Sequence, residues 1–457
     1  MVARRNDAAK ALEAIAKSGD QKVKVAVTDI DGVLRGKYMH RDKFLSAVDG
    51  GFGFCNVIFG WDSSDLCYDD ARYTGWHSGY PDALAHIDLS TFRRVPWDGN
   101  VPFFLGDFVD AQGQPLPICP RQALKRVIAR TADRGLVPRF GMEFEWFNFR
   151  ETAESMAAKG HTRPQPLTPG MFGYSIVRSS QNSGYFNALM DEMLAFGVPI
   201  EGLHTETGPG VFEVAILYSD ALEAADRATL FKTGTKEIAS RFGIMPSFMA
   251  KWNAKLPGCS GHAHQSLWSA DGKQNLFHDP KQPHGMSKLF QSYLAGQLAL
   301  LPELLPFFAP TINSYKRLVD GYWAPTKPTW GIDNRTVAMR VIPGSSKSTR
   351  LELRVPGSDV NPYLTIAAAL AAGLWGIEQK LELKAAPITG SSYAAQHIER
   401  LPRTLEEATE RLDASQIARE ILGKDLVEHF VTTRRFEVKQ FRDAVTDWEL
   451  ARYFEVI

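Results

Sequence analysis

Four short segments carry acids, imidazoles and guanidinium groups at spacings fit for chemistry. In GMEFEWF, Glu143 and Glu145 stand at i and i+2. On a strand they share one face, while Phe144 and Trp146 take the other. In HTETGPGVFEVA, Glu206 and Glu213 flank a Gly-Pro-Gly turn that can fold the two together. In SGHAHQS, His262 and His264 repeat the i, i+2 spacing among small neighbours. In TRLELRV, Arg350, Glu352 and Arg354 alternate with Leu351 and Leu353. Each segment taken alone reads equally as an exposed amphipathic strand, a polar loop or a pair of satisfied core histidines. Together they offer five glutamates and one or two histidines, with no thiolate among them. Hard oxygen donors with some nitrogen suit Mg²⁺ or Mn²⁺ better than structural zinc. Divalent ions bridging phosphate oxygens are one way to run phosphoryl transfer. Residues 311–354 add Lys316, Arg317, Arg335, Arg340, Lys347, Arg350 and Arg354. Apolar and turn residues separate these cations, unlike a simple basic surface. Arginine forks bind carboxylate and phosphate through paired hydrogen bonds.

The elements that must position these groups are legible in part. KVKVAVTDIDGVLRGKYM (22–39) reads as a hairpin, with valine at alternate positions and an Asp-Gly turn. Residues 40–115 read as irregular, rich in glycine, aspartate and aromatics. CPRQALKRVIARTADRG (119–135) has helical spacing, with proline near its start and glycine after its end. Strands are expected at 136–149, 260–268, 336–342 and 349–355, and helices at 185–197 and 219–243. NPYLTIAAALAAGLWGIEQKL (361–381) reads as a nearly all-apolar, deeply buried helix. Residues 160–183 read as a long loop, and 403–457 as amphipathic helices. The expected division is a helix or arm over 1–19, a small domain over 20–112 and a large domain over 113–457.

The 457 residues exceed what one hydrophobic core supports. Lys plus Arg and Asp plus Glu are both 52, so net charge argues for neither nucleic acid nor an anionic membrane as partner. The amino-terminal residues are charged and lack the apolar core of a secretory signal. The apolar run near 364–377 falls short of the ~20 residues that span a bilayer. The four cysteines form no CxxC pair, and a reduced cytoplasmic protein is the expectation.

GMEFEWFNF, ETGPGVFEVA, GHAHQSLW, NSYKRLVDGYWAPTKPTWGIDNRT and RLELRVPGSDVNPYLTIAAALAAGLWGIE resemble the glutamine synthetase family in order and spacing. The resemblance runs from about residue 22 through nearly the whole chain. It implies an α+β fold: a small amino-terminal β-grasp domain, then a large catalytic domain of antiparallel sheet with surrounding helices. It implies a homo-oligomer, a dodecamer of two stacked hexameric rings, with active sites between neighbouring subunits. It further implies ATP, L-glutamate and an amine as substrates, with two or three Mg²⁺ or Mn²⁺ ions. By the same resemblance, Glu145, Glu206 and Glu213 match the ligands of the metal nearer glutamate. Glu143, His262 and Glu352 match those of the metal on the ATP phosphates. Arg317 and Arg354 match the arginines on the glutamate carboxylates, and the Gly258 backbone a further glutamate contact. Arg335 and Arg340 match those facing the ATP phosphates and the transferred phosphoryl group. Tyr218, His264 and Ser266 fall where the family contacts the nucleotide.

One departure bears on the amine. Ammonia-using members carry glutamate in GYEAP, where this chain has Trp323 in GYWAP. Tryptophan can neither attract ammonium nor accept its proton, but it packs against apolar groups. Asp62 in FGWDSSDLCYDD is the candidate for the missing acid, reaching in from a neighbouring subunit. Pro257 replaces an asparagine common in the family. The DIDGVLRGK, WGIDNRT and WELARYFEVI segments resemble the subgroup that makes γ-glutamyl amides from organic amines. Trp323, Trp330, Trp252, Phe59 and Trp61 are candidate liners of an apolar amine pocket. Ammonia, a polyamine or ethanolamine are the alternatives. A non-enzymatic relative would have lost ligand positions that this chain retains.

Overall fold

Alternating valines in KVKVAVT bury one face of β1 (Lys22–Thr28), which pairs antiparallel with β2 (Leu34–His40). The computed structural model describes residues 12–457. The expected helix or arm over 1–19 therefore lies partly outside the described residues; 12–17 are helical. Gly32 closes the hairpin turn at φ 83°, and a Cβ there would lie 2.9 Å from Asn361 Cα. Only glycine meets both demands.

Residues 40–115, expected to be irregular, are instead largely ordered. They hold the helix Arg41–Gly50 and strands β3 (Phe52–Cys55), β4 (Asp82–Val95) and β5 (Val101–Val109). The five strands form one sheet in the order β2-β1-β5-β4-β3. Two features hide these strands from periodicity. The register of β4 against β5 shifts between Asp88 and Arg93, which breaks the alternation. Strand β5 is buried along its whole length, so it never alternates at all.

The second sheet has nine strands. Its main path runs β12 (Trp330–Ile332), β13 (Met339–Ile342), β14 (Arg350–Leu353), β11 (Gly261–Ser269), β6 (Leu136–Phe149), β8 (Val211–Ile216) and β7 (Ile200–Thr205). Short strands β9 (Ser219–Asp220) and β10 (Met245–Ser247) also pair with β6. Most pairings are antiparallel; β12 and β13 run parallel. The helices Pro120–Ala132, Ala221–Ser240 and Pro362–Glu378 pack on β6. The last is apolar on nearly every side and almost wholly buried. The expected loop 160–183 contains a short helix, Ile176–Gln181. Among the described residues, no helix is long and apolar enough to cross a membrane.

Two contacts fix the sheets to each other. Asn361 caps the long apolar helix through the Tyr363 backbone N–H (3.0 Å), and its Nδ2 donates to the carbonyls of Asp29 and Ile30 in the hairpin turn. Arg121, fully buried, donates to Asp226 (2.9 and 3.0 Å), to Asp88 on β4 (2.9 Å) and to Asp107 on β5 (2.7 Å). The Tyr363 hydroxyl donates to Asp226 as well (2.7 Å). One guanidinium thus holds three carboxylates from both sheets' surroundings. Removing one member of a buried charge set costs about 3–5 kcal/mol, because the others stay desolvated and unpaired. Arg121→Met is expected to lose stability of that order, read as a lower denaturant midpoint, whereas Arg411→Met at an exposed pair should change little.

Candidate active site

Strand register assembles the charged groups on one face of the large sheet. Glu143 on β6 stands opposite His262 on β11, and His264 opposite Glu352 on β14. Arg340 on β13 stands opposite Glu352. In the other direction Glu145 stands opposite Glu213 on β8, and Glu213 opposite His204 on β7. Directly opposed side chains have Cβ atoms about 5 Å apart, so these pairs are in contact. Phe144, Trp146, Phe212, Ala263, Leu351 and Leu353, on the reverse face, are fully buried. The alternation expected from sequence therefore places the acids together.

Two groups of donor atoms result. Glu143, His264 and Glu352 offer ligand atoms within 4.8 Å of one another, as do His204, Glu206 and Glu213. His262 Nδ1 lies 2.9 Å from Glu143 and 3.3 Å from Glu352, facing the first group. Glu145 stands beside the second through its register with Glu213, and one of its oxygens accepts the Ser260 N–H at 2.7 Å. All six acids and imidazoles expected to bind metal thus converge. His204 joins them unannounced; it alternates with Glu206 in HTET, the same spacing that exposed Glu143 and Glu145.

The two groups differ in charge balance. Burial alone lifts the Glu143 carboxyl, but hydrogen bonds and charge from His262 and His264 hold it well below the usual range. Burial likewise opposes the Glu352 charge, yet Arg354, His262 and His264 bring it down to about 2. Burial and the neighbouring Arg354 push the His262 pKa down, against the pull of Glu143 and Glu352, toward the neutral form that metal ligation would need. On the other side, burial together with the charges of Glu143 and Glu145 pushes Glu213 up to about 8. His204 is raised because Glu213 and Glu206 outweigh its burial. Like charges directly opposed on a sheet repel, and one imidazole does not neutralise three glutamates. This donor set, oxygen-rich, crowded and short of positive charge, fits divalent cations.

A cavity of ≈410 Å³ opens over the second group, lined by Glu145, Glu206, Glu213, Arg317, Arg335 and Arg354. Gly258 lines it too; a Cβ there would come within 2.3 Å of the Ala250 carbonyl and 2.9 Å of Arg317 Cγ. Arg317, buried, spends two donors on the carbonyls of Val355 (2.8 Å) and Arg354 (3.3 Å). A second cavity of ≈260 Å³ is lined by Tyr218, His264, Ser266, Trp268, Lys347 and Arg350. Glu143 borders both, so the two are neighbours across one carboxylate. The Arg139 guanidinium lies 4.3 Å over the Trp268 ring in the second cavity. Arg340 lines neither cavity: it donates to Asp333 (3.0 Å) and Glu352 (2.9 Å), and so reaches the site through Glu352.

Trp323 borders the first cavity, 58% exposed and in left-handed backbone at φ 61°. For a bulky residue this conformation is strained. Tyr322 lies beside it, and Tyr174, also left-handed, stacks on His204 at 4.4 Å. The other expected liners are elsewhere, each engaged with protein. Trp330 is buried and donates to the Ala385 carbonyl (2.9 Å). Trp252 packs on Phe147 and Phe149, Phe59 on Phe108, and Trp61 under the Arg35 guanidinium. Asp62 also lies outside the cavity of its own chain. Its carboxylate accepts the N–H groups of Ser64 (2.8 Å) and Leu66 (3.0 Å), beside a separate ≈830 Å³ cavity.

Residues 117–453 match the family profile described as "Glutamine synthetase, catalytic domain". A Dictyostelium discoideum protein named "Type-1 glutamine synthetase 2" is 59% identical, over 95% of this chain and 84% of that protein. A Pseudomonas protein named "Glutamate--isopropylamine ligase" is 38% identical, over 98% of each. A solved structure described as "GmaS/ADP complex-Conformation 1" superposes with a TM-score of 0.85 at 30% identity, covering 97% of this chain and 99% of that one.

Glu213 bears on how cation binding depends on pH. Its carboxyl holds a proton below about pH 8 in the cation-free protein. A divalent cation bound beside it must displace that proton. The raised carboxyl also stabilises the cation-free protein most below the usual glutamate range near ~4.3, and that contribution is lost as pH climbs through about 8. Calorimetric Mn²⁺ titration near neutral pH is expected to give an enthalpy that tracks the buffer's ionisation enthalpy. That dependence should fade well above pH 8; a buffer-independent enthalpy at neutral pH would contradict the assignment.

Proposed function

The chain belongs to the glutamine synthetase family of ATP-dependent ligases, and we propose that it joins the side-chain carboxylate of L-glutamate to an organic amine with an apolar alkyl or aryl body. The observation that carries this reading is Trp323 at the cavity mouth, where ammonia-using members have glutamate. An indole offers packing surface and no proton acceptor. Tyr322 and Tyr174 extend the apolar rim. The relative named for isopropylamine is consistent with an amine of this kind.

In this reading ATP occupies the ≈260 Å³ cavity, beside Tyr218, His264 and Ser266, with its terminal phosphate at Glu143. The relative structure described with ADP supports an adenine nucleotide. Glutamate occupies the ≈410 Å³ cavity, its carboxylates on Arg317, Arg354 and the Gly258 backbone. Glu143, His262 and Glu352 would hold one Mg²⁺ or Mn²⁺, and Glu145, Glu206 and Glu213 one or two more. Bound there, these ions supply charge neutralisation on the phosphoryl oxygens. The γ-carboxylate attacks the terminal phosphate, forming γ-glutamyl phosphate and ADP. Arg335 lines the cavity and meets the charge that spreads over the phosphoryl group. Arg340 holds Glu352 in place. The amine then attacks the acyl phosphate, and phosphate leaves. Trp323 shields the acyl phosphate from water. Asp62, presented by an adjacent subunit, takes the proton released from the amine. That role requires the ring assembly, a dodecamer of two stacked hexamers in which residues 20–112 of one chain close the site of the next. The four free thiols suit a reducing cytoplasm.

Ammonia is the second reading, favoured by the name of the 59% identical relative. Phosphate release with ATP, glutamate and a panel of amines separates the two. Organic monoamines are expected to outpace ammonium, and equal turnover of ammonium would remove the proposal. Trp323→Glu is expected to shift the ratio toward ammonium by about tenfold, or about 1.4 kcal/mol.

A further inference from the structure

The segment 251–258 meets Tyr322, the neighbour of the strained Trp323. Lys251 is 5% exposed, and its backbone is pinned on both sides by Asn313: Asn313 Oδ1 accepts the Lys251 N–H and Asn313 Nδ2 donates to the Lys251 carbonyl, both at 2.8 Å. Its ammonium sits 4.4 Å from the centroid of the Tyr322 ring. The charged group nearest in effect is Arg317, a like charge, so the aromatic face is what this cation meets. The Tyr322 hydroxyl in turn reaches the Lys255 carbonyl at 3.5 Å. Pro257, Gly258, Arg317, Tyr322 and Trp323 then line the same cavity wall.

We infer that Lys251 is a positioning residue for the amine end of the cavity, its ammonium fixing the Tyr322 ring and thereby holding Trp323 in its left-handed backbone over the mouth. A desolvated cation over an aromatic face binds more strongly than an exposed one. A β-turn residue held at positive φ needs such over-determination, since it relaxes once its neighbours let go. Lys251 itself does not line the cavity, so it acts through the ring. The inference rests on the reading that Trp323 borders the incoming amine.

The test compares Lys251→Met, Lys251→Arg, Tyr322→Leu and the double variant Lys251→Met/Tyr322→Leu in the assembled enzyme. The wild type is first assayed with ammonium and organic amines, which judges the parent reading separately. With whichever amine the wild type prefers, Lys251→Met and Tyr322→Leu should each raise the amine KM about tenfold. KM for ATP and for glutamate should stay within about twofold. The double variant should be no worse than either single one, since both remove one interaction. Lys251→Arg should recover most of the loss, because guanidinium also sits on aromatic faces. A rise confined to the glutamate KM would instead make Lys251 a carboxylate ligand beside Arg317, and overturn the inference. So would additive effects, or a Tyr322→Leu variant with unchanged amine KM. If Lys251→Met fails to assemble, the Tyr322→Leu and Lys251→Arg arms decide alone.

Discussion

Glutamates set in register on one face of a sheet repel one another, and the rest of this structure is arranged around that repulsion. Glu145 directly opposes Glu213, with Glu143 and Glu206 close by. The reverse face of the same strands is sealed by Phe144, Trp146 and Phe212, so no carboxylate can rotate away from its neighbours into water behind the sheet. A slip of one residue in any pairing would exchange acid for core on that strand. The register is therefore held by burial, and burial is what makes the charge crowding costly.

The protein relieves this cost unevenly. Toward β13 and β14, Arg340 and Arg354 pair with Glu352, and His262 and His264 serve Glu143. That half is close to balanced on its own. Toward β7, the ion-pair partner of Glu206 and Glu213 among the described residues is His204, and Glu213 keeps a proton far above the usual carboxylate range. The imbalance gives the two halves different appetites for cations. The balanced half leaves little net charge for a bare cation to neutralise. The deficient half gains most from a bare divalent ion. Glu143, which borders both cavities, is where the two meet.

Much of this was legible because same-face spacing on a strand is a local property. Glu143 with Glu145, His262 with His264, and Glu352 between its arginines all follow from a period of two. His204 obeys the same rule, two residues before Glu206, but no run of alternating apolar residues around HTET marks it as strand. The long strands in 40–115 were illegible for a different reason: β4 carries a register shift and β5 has no polar face. Pairing across the chain was also hidden. Within the chain Arg340 meets Asp333 and Glu352, and only tertiary structure brings the Phe147 and Phe149 rings to Trp252.

Trp323 shows where local rules break down usefully. A bulky residue in left-handed backbone, with over half its surface exposed, is disfavoured both sterically and by hydration. Its indole stays largely exposed, so burial of the side chain does not repay that cost. A glutamate at the same place would be at ease in water and would add a further acid to an already crowded cavity. Exchanging it for an indole removes that repulsion and gives the mouth an apolar edge. Under the proposed function, the strain is the cost of holding a flat hydrophobic surface where the hydrophobic part of an amine would arrive. An amine bearing such a part would bury the indole on binding and recover hydration free energy that ammonium cannot supply.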